Sequence, residues 1–145
     1  MHAIDLTPEL HVYLLRFVAA GQLALVPLNV VLPRLLKWKP DVDRMSLLVR
    51  EVFQIHAVFI TLTVGIWGVL TWQFAERWVV APDELSNWLC FALALFWGLR
   101  CVMQWTHYSA SHWRGQTGRT VIHGLLFVGY LFWTVMYAWT GGLMR

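Results

Sequence analysis

Four mostly apolar stretches, each about 20 residues or longer, fill most of this 145-residue chain. They lie at about residues 12–36, 50–76, 86–110 and 119–142. A run of that length crosses the hydrocarbon of a bilayer as one helix. Composition agrees: 59% of residues are hydrophobic and only 13% charged, against about 45–50% and 25% in a soluble domain. A water-soluble domain this small could not bury so much apolar surface. Disorder, a nucleic-acid partner and an ordinary cytosolic enzyme are excluded on the same grounds. The expected fold is all-α: one polytopic membrane domain over residues 1–145, an antiparallel up-down four-helix bundle with short loops.

The loops carry unequal charge, and Lys and Arg set orientation. Eight basic residues (Arg34, Lys37, Lys39, Arg44, Arg50, Arg100, Arg114 and Arg119) fall on the side of loops 1 and 3. Arg16, Arg77 and Arg145 fall on the other. Loops 1 and 3 are therefore expected in the cytoplasm of an inner-membrane protein, with both termini outside. Trp38, Trp78, Trp88, Trp113 and Trp139 sit near the span ends, where an indole can rest in the headgroup layer. Cys90 and Cys101 are three turns apart on one helix, too far for a disulfide between them. Both read as buried thiols.

Ionisable groups inside a bilayer are costly and usually have a use. His56 lies about 9 Å below the cytoplasmic entry of its helix and His123 about one turn below its own. His107 and His112 lie at the same side. Arg100, Gln104, His107 and Ser111 follow an i, i+4, i+7, i+11 pattern, which is one helix face. Arg119, His123, Tyr130, Thr134 and Tyr137 make a second such stripe. Polar stripes turn away from lipid, so His107 and His123 are expected to face each other, with His56 close by.

That cluster supports three chemistries. Neutral imidazoles ligate transition metals and haem iron, which makes His56, His107, His123 and His112 the candidate ligands. The leading expectation is a protein that binds a haem or a transition metal in membrane redox or transport work. The second expectation uses Arg100, Gln104, Arg50 and Tyr130 as a pocket for a cofactor or an anionic headgroup. The chain is then an accessory subunit of a larger membrane complex, or a binder of anionic lipid or quinone. Its partners are membrane lipid, a larger complex or further copies of itself, with no nucleic acid. Catalysis is the third, but no nucleophile motif is present and no acid is placed to orient a histidine. The bland alternative to all three is that the histidines are satisfied packing groups. Arg100, well inside a span, needs an offset for its insertion cost; Glu51 or a bound anion could supply it.

Overall fold

The computed structural model describes residues 7–107 and 117–143, apart from the side chains of Thr117 and Arg119. Its helices are α1 (Pro8–Leu35), α2 (Lys39–Asp43), α3 (Leu47–Val80), α4 (Glu84–Thr106) and α5 (Thr117–Thr140). All but α2 are long and apolar enough to cross a membrane. The short α2 gives no hydropathy signal. Its marks are local: Pro40 in the first turn and an i, i+4 ion pair from Lys39 to Asp43 at 2.5 Å. Both side chains are largely solvent-exposed, so the pair adds little stability. The chain divides into two compact units, the first ending at Ala75 and the second beginning at Glu76.

In the first unit, α1 starts where Thr7 caps it, the hydroxyl accepting from the Leu10 N–H at 3.4 Å. Pro8 follows at the position where a missing N–H costs nothing. At the other end the Lys37 N–H donates to the Arg34 carbonyl and the Trp38 N–H to the Pro33 carbonyl. This is a Schellman closure, with Lys37 in the left-handed position at φ 53°. Between the ends, α1 buries His11, Val12, Leu15, Val18, Ala19, Gln22 and Leu25, much of it at the 4-3-4-3 spacing of one face.

Two glycines let α3 approach α1. A Cβ at Gly65 would lie 3.3 Å from Cγ2 of Val26. One at Gly68 would lie 2.9 Å from Cγ of Leu23. Contact positions thus rise along α3 as they fall along α1. Burial then stops: no residue of α3 before Val64 is buried, and residues 51–60 are exposed all the way round the helix. The exposed side chains include Val52, Phe53, Ile55, Val58, Phe59 and Ile60. Apolar surface on every face suits acyl chains as solvent and not water.

In the second unit, Asp83 caps α4. Its Oδ1 accepts from the Ser86 N–H at 2.8 Å and from the Ser86 hydroxyl at 2.5 Å. Its Oδ2 accepts from Arg77 at 2.6 Å. The two long helices then pack through an aromatic core. Trp97 stacks on Tyr130 with ring centres 5.3 Å apart and meets Trp133 edge-on at 4.6 Å. Gly141 closes one end of the pair, where a Cβ would lie 3.2 Å from both the Asn87 carbonyl oxygen and Cβ of Cys90. Helix α5 ends in the same Schellman closure as α1, with Gly142 at φ 81° in the left-handed position.

Candidate polar site on α4 and α5

Aromatic packing fixes the site from one side. Cys101 reaches toward the Phe127 carbonyl, and Gln104 toward His123, so the contacts climb α4 as they descend α5. Near the C-terminal end of α4 this brings polar groups together inside an apolar pair. Gln104 is only 4% exposed. Its Nε2 donates to Nδ1 of half-buried His123 at 2.7 Å, which requires that ring nitrogen to be unprotonated. One turn along α4, the Arg100 guanidinium carbon sits 5.5 Å from the centre of the Tyr130 ring. That is within the range of a cation–π contact. Tyr130 is itself buried against Trp97 and Trp133.

One atom of this group has no hydrogen-bond partner. Oε1 of Gln104 is buried and accepts nothing. Leaving such an acceptor dry costs about 1–3 kcal/mol. Nε1 of Trp97, two turns deeper, is a buried donor in the same condition. The sequence after Glu84 carries no aspartate or glutamate, and on the same side of the chain as Gln104 it holds Arg100, Arg114 and Arg119. The arrangement can hold an anion and accept a hydrogen bond.

Among the described residues, no group of three or more His, Cys, Asp or Glu side chains gathers as a metal site would require. The local reasons are plain. His56 is exposed on α3, with Nδ1 2.8 Å from the Val52 carbonyl oxygen one turn back. His107 lies past the last residue of α4, capping it, and is exposed. Its Nδ1 lies 2.9 Å from the Thr106 hydroxyl. The His107 ring is taken up by the neighbouring Thr106 hydroxyl, and His123 meets Gln104 where His107 was expected. His112 lies outside the described residues. Arg50 is half-buried in the first turn of α3, and Glu51 beside it is exposed. Of the expected cofactor-binding residues, Arg100, Gln104 and Tyr130 come together with His123.

Two features of the site went unread in the sequence. One is Trp97, which stacks on Tyr130 beneath the Arg100 contact. The acid-free stretch after Glu84 was visible in the residue order and would have pointed to α4 and α5 without any histidine pattern. Compared with family models, with curated proteins and with solved structures, the chain finds no match.

Proposed function

We propose that this chain is a membrane-embedded binding protein without catalytic chemistry of its own, holding the polar head of an anionic amphipathic ligand between α4 and α5. The observation that carries the reading is the dry acceptor of Gln104 one turn from Arg100 on α4. A ligand atom that satisfied it would recover the desolvation cost. The surrounding architecture is an antiparallel four-helix bundle of the inner membrane, both termini outside, with the α1–α3 and α4–α5 connections in the cytoplasm. The bias of Lys and Arg toward those connections supports this orientation. Gln104 then lies near the cytoplasmic end of α4 and Arg100 about 6 Å deeper, the depth of lipid and quinone headgroups. Such a protein serves as an accessory subunit of a larger membrane complex.

The test is extraction of the purified chain with organic solvent, followed by mass spectrometry of what is released. A stoichiometric anionic amphipath, lost from Arg100→Gln while the helical spectrum is kept, is the expected result. An optical spectrum with a Soret band, or a transition metal at one equivalent, would overturn the reading in favour of a haem or metal protein.

A further inference from the structure

The leftover atom at Gln104 narrows the ligand further, on the strength of the function proposed above. We infer that the α4–α5 site selects an anionic lipid whose headgroup carries a hydroxyl, with the phosphate toward Arg100 and the hydroxyl donating to Oε1 of Gln104. The amide nitrogen is already committed to His123. What remains is a carbonyl oxygen, which can only accept. The ligand must therefore bring a donor to it. A cationic ammonium donor is disfavoured one turn from Arg100, in a part of α4 that carries no acid. A neutral hydroxyl is not.

The order of the two residues along α4 fits the order of groups in such a lipid. Arg100 lies nearer the middle of the helix and Gln104 nearer its end. They are one turn apart on one face, a rise of about 6 Å. A lipid anchored by its acyl chains presents its phosphate first and the far end of its headgroup next toward water. A three-carbon polyol headgroup spans one helical turn. A quinol would offer a hydroxyl but no negative charge, and would leave Arg100 out of the binding.

The experiment compares lipids of equal charge. The full chain is reconstituted in phosphatidylcholine nanodiscs doped with phosphatidylglycerol or with phosphatidylmethanol, then gently extracted, and the retained lipid is counted per chain. Phosphatidylmethanol bears the same single negative charge and no headgroup donor. Phosphatidylglycerol should be retained about five- to tenfold over phosphatidylmethanol, the worth of one well-made hydrogen bond. Both should exceed phosphatidylcholine. Gln104→Met should bring phosphatidylglycerol down to the phosphatidylmethanol level, and Arg100→Gln should lower both. Equal retention of the two anionic lipids by the native chain would overturn the hydroxyl assignment while leaving an anion site. Retention of neither above phosphatidylcholine would overturn the anion site as well. The native-chain comparison decides the matter even if a variant fails to fold.

Discussion

Gln104 on α4 and His123 on α5 are joined by a 2.7 Å hydrogen bond between two side chains 19 residues apart in sequence. The bond ties the two helices near the end at which their chain connection lies. Interhelical hydrogen bonds in membranes are worth about 0.6 kcal/mol on average and up to about 1.7. A double-mutant cycle with Gln104→Met and His123→Phe, read by unfolding in mixed micelles, should return a coupling in that range. Additive single effects would mean that the bond contributes nothing to holding the pair.

The glycine contact between α1 and α3 makes a sharper demand. Alanine at Gly68 would put its methyl 2.9 Å from a Leu23 carbon and 3.3 Å from Cβ of Gln22. Overpacking of this kind costs about 1–3 kcal/mol. Gly68→Ala should lower thermal stability, and Leu23→Ala should restore part of the loss. Gly129→Ala is the control, because a methyl there meets nothing within 4 Å.

Helices α1 and α5 end alike, with different residues at the left-handed position. Lys37 holds φ 53° where Gly142 holds φ 81°. A left-handed conformation costs a residue with a side chain roughly 1–2 kcal/mol. Lys37→Gly should therefore raise the stability of the chain by up to about 1 kcal/mol, after the extra freedom glycine gives the unfolded state. A loss of stability would show that the lysine side chain has a compensating role.

Asp83 is held well below the usual carboxylate range, at about 2. The Ser86 hydroxyl does most of this, followed by the Ser86 N–H and the Arg77 guanidinium. A carboxylate lowered on folding contributes stability above its ordinary value of 3.8, and that contribution fades as pH falls toward 2. Stability should therefore decline between about pH 4 and pH 2. The decline should be shallower in Asp83→Asn, which keeps a capping oxygen without a titrating group.

Orientation is open to labelling. Single cysteines at Lys39 and Glu84 should react from opposite sides of the membrane in intact cells, with position 39 protected from an impermeant reagent. The native Cys90 and Cys101 are buried and give little background. Reaction of position 39 from outside would reverse the assigned topology.

The four long helices were legible because apolar run length answers directly to bilayer thickness. The site was legible only in part, since a helical stripe does not say which partner a side chain takes. Arg100 and Gln104 lie within α4 and were placed correctly on one face. His107 caps α4 with its backbone still helical, but its ring lies against the neighbouring Thr106 hydroxyl. His56 satisfied a ring nitrogen on its own helix, a local bond that face arithmetic does not see. The pairing of Gln104 with His123 depends on the register of two helices, which neither sequence pattern contains.

Helix α3 has 34 residues, so it is about 50 Å long, while the hydrocarbon core of a bilayer is about 30 Å thick. It must lean, or carry its ends into the headgroups, or do both. Residues 51–60 are exposed on every face, although Phe53 meets the Trp38 ring edge-on at 6.4 Å. Packing on α1 at Gly65 and Gly68 holds the later part of α3, so adjustment to a thinner or thicker bilayer falls first on residues 51–60. The compliance of the helix resides in that stretch, where the side chains are exposed among the described residues.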